Sequence, residues 1–182
     1  MTETAELYRR LAANLTGTVA AVPTDRWDDP SPCEGWTARD VLRHVIDVQS
    51  FPLTPVGVSL SPAPSVDDDP LAAWTATHEE VQAVLDDPAR AELEYDGALG
   101  RTTVAAIFGA FIAFDLAIHR WDIAHATGVD ETIPAEDLAL AAALAERMGD
   151  RIRTPGVCGP AVEVPADADE QTRVLAMLGR RA

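Results

Sequence analysis

The stretch VAAIFGAFIAFDLAIHRWDIAHATG, residues 104–128, decides the fold. Its first eleven residues, Val104 to Phe114, are apolar all round a helical projection, so the stretch reads as a helix in the middle of a core. The spacing predicts a helix from about Thr103 to Thr127, closed by Gly128 as a C-cap. Asp115 follows the apolar run directly, and His119 lies four residues on, one turn along the same face. A carboxylate set among apolar neighbours is costly unless something positive pairs with it.

The flanking sequence supplies partners for that helix. Leu7, Leu11, Leu15 and Val19 recur every four residues and predict a first helix over about Thr4 to Val22. Thr37, with Asp40 three residues later, is an acidic variant of the capping box. Trp36 and Val41 occupy the positions of a hydrophobic staple. The helix they open runs from Ala38 to about Phe51 and buries Val41, Leu42, Val45, Ile46 and Val48, with His44 on or beside that stripe. Residues 52–68 are rich in Pro and Ser and read as a long loop of the kind that serves as a lid or pocket border. Asp69 and Pro70 start a third helix whose stripe is Leu71, Trp74, His78, Val81 and Leu85. At most a short strand is expected around Leu93–Tyr95, another at Ala161–Val164, a fifth helix from Pro134 to about Met148, and a last one near Glu170–Leu178. The class is all-α: a four-helix bundle with extra C-terminal helices, read as one domain over 1–182, the core bundle spanning about 4–128 and the additions 129–182.

Composition removes several function classes. Thirty acidic residues stand against fourteen basic ones, a net charge of −16, and every basic residue is Arg. A phosphate backbone demands a basic surface, so nucleic acid is excluded as a partner. The same charge opposes anionic lipid, and the run Val104 to Phe114 is well short of the roughly 20 residues that span a bilayer. MTETAELYRR has no apolar signal region, and two cysteines, Cys33 and Cys158, make neither a CxxC pair nor a disulfide framework. A cytoplasmic location with reduced thiols is the expectation. No phosphate-binding Gly loop, GxSxG or HExxH occurs.

Asp115 and His119 at i, i+4 make either a two-ligand metal clamp or a buried ion pair. His44, on a second helix with an inward face, is either a third ligand or a core histidine. Asp122 shares the face of His119 and reads as an acceptor that orients a ligand imidazole, or as a helix-end polar contact. His78 reads as core, with a supporting role at a site as the alternative. His125 reads as surface, suited to the helix end. Cys33 lies in a loop with no base placed beside it by the sequence.

Two segments resemble a known family. DRWDDPSPCEGWTARDVLRH, Asp25–His44, resembles the PCxGWxxxDxxxH signature of the DinB/YfiT-like metalloproteins. The nearest branch is the one named for the N-terminal domain of mycothiol-dependent maleylpyruvate isomerase. DLAIHRWDIAHATG, Asp115–Gly128, resembles that branch's second signature, an acidic residue, three residues, then His-x-Trp-Asp. The tail VCGPAVEVPADADEQTRVLAMLGR resembles the ending of its short members. The resemblance implies a DinB-like bundle holding one divalent metal, zinc or nickel, by three side chains, which here map to His44, Asp115 and His119. Asp115 stands where the isomerase has Glu, one methylene longer.

It further implies a metal that activates a small thiol of the mycothiol type, hence a metal-dependent thiol S-transferase or isomerase-like enzyme with that thiol and a second small molecule as partners. The isomerase carries a further C-terminal domain for which 182 residues leave no room, so its own substrate is not carried over. Two other readings stand beside this one: a hydrolase using a metal-bound water with Asp122 or His78 as base, and a non-catalytic metal-binding bundle, with homodimerisation left open. A 2-His-1-carboxylate set also admits non-haem iron oxygenase chemistry, though its helical setting is foreign to that class.

Overall fold

The computed structural model describes residues 2–98, 100–153 and 157–181. The chain divides into two compact units, Met1–Asp130 and Glu131–Ala182. The first is built on helices α1 (Glu3–Ala21), α2 (Ala38–Val48), α3 (Pro70–Leu85) and a long last helix made of α5 (Val104–Ile107), a π turn (Phe108–Ile112) and α6 (Ala113–Thr127). A short helix α4 (Pro88–Ala91) and an antiparallel hairpin, β1 (Glu94–Gly97) with β2 (Gly100–Thr103), connect α3 to α5. Helices α1 and α2 each pack on both α3 and α6. The four therefore form a ring in the order α1, α3, α2, α6, and the all-α bundle expected from the sequence is the architecture observed.

Local chemistry sets the helix ends. Thr37 Oγ1 accepts the Asp40 amide at 3.2 Å while Asp40 Oδ2 accepts the Thr37 amide at 3.0 Å, so both halves of the capping box form. Asp69 caps α3 with Pro70 at its first position. Gly128 ends α6 at φ 75°, the left-handed conformation that a side chain disfavours.

The core holds Tyr8, Leu11 and Leu15 from α1, Val41, Leu42 and Val45 from α2, Trp74 and Val81 from α3, and Phe108, Leu116, Ile118, Trp121 and Ile123 from the last helix. Tyr8 Oη donates to Gln49 Oε1 at 3.0 Å, and Gln49 Nε2 donates to the Val45 carbonyl at 2.9 Å, so this fully buried pair is satisfied. Burial pushes the Tyr8 hydroxyl pKa well up.

Three expectations are corrected. The apolar run Val104 to Phe114 is not enclosed on every side: Ala106 is exposed and Ile107, Ala110 and Phe111 are only half-buried. The whole helix Val104–Thr127 is nonetheless long and apolar enough by composition to cross a membrane, with 67% of its most apolar window buried within the chain. Its π turn, which places one extra residue in the turn just before Asp115, has no signature in an all-apolar segment. Ala161–Val164 forms no strand: the Val162 amide donates to the Ala176 carbonyl, a helix end instead of a neighbouring strand.

In the second unit, α7 (Ala135–Met148) and α8 (Glu170–Met177) pack together, and Gln171 accepts the Ile133 amide at 2.7 Å. Gly179, at φ +83°, lies so close to Gly159 and Pro160 that a Cβ would meet their backbone at 3.0 Å.

Candidate metal centre

The seam between α2 and α6 carries the site. His44 is presented by α2, one residue off the line of Val41, Leu42 and Val45 that faces the core. Asp115 and His119 lie one turn apart on α6. The structure brings the three together: Asp115 Oδ2 is 3.5 Å from His44 Nε2, Asp115 Oδ1 is 3.9 Å from His119 Nε2, and the two rings sit edge to face with centroids 5.0 Å apart. One ligand atom from each lies within 4.8 Å of the others, so a single ion can touch all three. The side chains are 30%, 25% and 12% exposed for His44, Asp115 and His119. Asp115 is thus the half-open lip of a cluster, and not the deeply buried acid that its apolar neighbours suggest.

Behind His119 stands Asp122, with an exposure of 0%. His119 Nδ1 lies 2.9 Å from Asp122 Oδ2, within hydrogen-bond distance. An ionised carboxylate can only accept, which assigns the proton to Nδ1 and the lone pair to Nε2, the nitrogen nearer Asp115. This is the arrangement that holds a metal-ligating imidazole in its working tautomer.

Cys33 was not legible as part of this cluster. A tight turn brings it in: the Ser31 amide donates to the Trp36 carbonyl at 2.8 Å, the Trp36 amide to the Cys33 carbonyl at 3.0 Å, and Gly35 takes φ 79°. Cys33 Sγ then lies 3.4 Å from Asp122 Oδ2 and 4.0 Å from His119 Nδ1. The one available signal was its place in the motif that ends at His44. Trp36, 37% exposed, sets its ring beside that of His44, with centroids 5.0 Å apart and planes tilted by 51°.

An open cleft of about 440 Å³ reaches His44, lined by Gly35, Trp36, Asp40, Arg43 and Asp47. All of these come from the turn before α2 and from α2 itself, so the 52–68 connection does not border it. That connection instead packs on α2: Arg39 donates to the Val66 carbonyl at 3.0 Å, and Arg43 pairs with Asp67 at 2.8 Å.

The remaining histidines stand elsewhere. His78 rests on Trp74 at 5.1 Å, half-buried, and burial lowers its pKa below the ordinary 6.5. His125 is exposed and stacked on Trp121 at 4.6 Å.

Residues 8–54 match the mycothiol maleylpyruvate isomerase N-terminal domain. The resemblance read from the sequence is matched at this family, over α1, the Cys33 turn and α2 with His44; Asp115 and His119 lie beyond the matched residues. Two uncharacterized proteins, from two strains of Mycobacterium tuberculosis, are each 27% identical over 157 residues, covering 82% of this chain and 81% of their own length. No solved structure matches the chain.

Proposed function

We propose that this chain holds one divalent metal ion, zinc or nickel, on His44, Asp115 and His119, and works as a metal-dependent thiol S-transferase or related enzyme. The small thiol it takes is of the mycothiol class, the second substrate enters from the cleft beside His44, and the setting is the cytoplasm. One observation carries the reading: with the Nδ1 proton of His119 committed to Asp122, a lone pair, a second imidazole and a carboxylate converge on one point. Convergent acceptors repel unless a cation lies between them. The exchange of Glu for Asp at position 115 leaves the carboxylate oxygens 3.5 and 3.9 Å from the two ring nitrogens, close enough to share an ion.

When bound, a divalent cation with three protein ligands lowers the pKa of a thiol in its open position and offers it as a thiolate. The chain does the rest. Asp122 fixes the tautomer and plane of His119. Trp36 covers one side of the His44 ring and gives the cleft an apolar wall. Arg43 and Asp47 border the same cleft and give it polar contacts for the second substrate. The mycothiol assignment rests on the family matched at residues 8–54. A hydrolytic mechanism finds less support: Asp122, one of its two bases, has an oxygen taken by both His119 and Cys33, and His78 lies outside the cluster.

The test is metal analysis of protein purified without added metal, beside His44→Ala and His119→Ala. Close to one equivalent in the parent and none in His119→Ala is expected, and His44→Ala should lose the nickel that the His44, Asp115 and His119 group would hold. Co(II) loaded into a Cys33→Ser background, which lacks the neighbouring thiol, should then gain a sulfur-to-cobalt charge-transfer band when mycothiol is added. Unchanged spectra would end the thiolate reading while leaving the metal site intact.

A further inference from the structure

A second three-atom group lies immediately behind the first. Cys33 Sγ, Asp122 Oδ2 and His119 Nδ1 are separated by 3.4, 2.9 and 4.0 Å. Tetrahedral zinc, with bonds of about 2.3 Å to sulfur and about 2.0–2.2 Å to nitrogen and oxygen, requires ligand atoms roughly 3.3–3.6 Å apart. The three edges scatter about that range and need shifts of only a few tenths of an ångström. Among the described residues this group and the His44, Asp115, His119 group are the two that can surround an ion, and they share His119 through opposite ring nitrogens.

We infer that Cys33, His119 and Asp122 form an inner site for a thiophilic divalent ion, and that filling it excludes the ion held by His44, Asp115 and His119. The donor set is what a soft metal prefers: a thiolate and an imidazole, with a buried carboxylate to balance charge. Asp122 is fully buried, so an ion there meets little competition from water. Cys33 is half-buried, which leaves a way in.

The exclusion follows from one proton. A neutral imidazole has one N–H. In the outer arrangement it sits on Nδ1 and is donated to Asp122, leaving the Nε2 lone pair for the outer ion. In the inner arrangement Nδ1 gives its lone pair to the inner ion, the ring proton moves to Nε2, and the Cys33 thiol proton leaves for solvent. Nε2 then points a hydrogen at the outer position and ceases to be a ligand. The inner site stands without the outer one; only the exclusion rests on the outer reading.

The probe is Co(II), titrated without added thiol and followed by absorption, with Cd(II) as competitor. The parent protein and His44→Ala should both develop a sulfur-to-cobalt band, and Cys33→Ser should not. Cd(II) should displace outer-site nickel from the parent, lowering its nickel occupancy at least tenfold, and should leave Cys33→Ser loaded. Circular dichroism checks that each variant folds, and Cys33→Ala serves if the serine variant does not. Absence of the band in both parent and His44→Ala overturns the inner site, as does a band that survives Cys33→Ser or that vanishes with His44→Ala. Two ions held at once, with the band present, overturn the exclusion. Failure of the outer reading shows differently: nickel content would not respond to His44→Ala.

Discussion

Two seams of the same bundle treat polar groups in opposite ways. Between α1 and α3 three side-chain donors meet acceptors. Trp74 Nε1 donates to Thr16 Oγ1 at 3.0 Å, Gln82 Nε2 to the Ala5 carbonyl at 3.2 Å, and Arg9 to both Asp86 oxygens at 2.7 and 2.9 Å. Between α2 and α6, ring nitrogens and a carboxylate face one another at 3.5 to 3.9 Å, and the buried carboxylate behind them takes its hydrogens from His119 and Cys33. A seam whose polar groups pair off is complete as a structural element. A seam whose acceptors converge is the one for which we propose a cation. The same helix packing thus yields paired contacts on one side and a candidate binding site on the other, and the difference lies in whether donors and acceptors balance.

The contrast breaks most sharply under truncation. Trp74 is fully buried, so Trp74→Ala should cost about 3–5 kcal/mol of unfolding free energy, read by urea titration without metal. Its metal content after purification at low temperature should match the parent. His44→Ala should do the reverse, abolishing nickel binding at the outer site while moving the metal-free stability by less than about 1 kcal/mol, because that ring is already part-exposed. If the two variants lost metal and stability together, the seams would not be separable and the distinction drawn here would fail.

A smaller effect is expected one layer back. Asp122→Asn keeps the shape and an acceptor oxygen but removes the charge that orients His119. Its outer-site affinity for zinc should fall about 10–100-fold, measured by competition with a chelating dye. Affinity within twofold of the parent would mean that the ring is oriented by packing alone.

These residues were unequally legible. Thr37 with Asp40, Asp69 with Pro70 and Gly128 could be read because capping is decided within three or four residues. Asp115 and His119 share a face by the same local arithmetic. His44 joined them only through a motif, since no periodicity says which α2 residue meets which α6 residue. Cys33 escaped because it is 86 positions from His119 and reaches it through a turn whose path depends on Gly35 at positive φ. The cleft was assigned to the wrong neighbour for a related reason. Residues 52–68 have the composition of a lid, but Leu53 and Val66 are buried anchors that tie the segment down. Burial of single apolar residues within a Pro-rich stretch has no period to detect.

The last and smallest expected effect concerns a histidine on the balanced side of the comparison. His78 lies on α3 against Trp74, and burial lowers its pKa, outweighing Glu79, which pulls the other way. The folded chain therefore resists protonating a ring that the unfolded chain protonates near 6.5. Stability from this group is complete above that value and drains as pH falls from there to the lowered native pKa, where it levels off. Replacing it, His78→Gln, should flatten the metal-free stability profile between pH 7 and 5 relative to the parent, in urea unfolding at half-unit steps. Every other group is common to both proteins and cancels in the difference. Parallel profiles would mean that water reaches the His78 ring as freely in the folded bundle as in the open chain, and the α3 side would lose its claim to be closed.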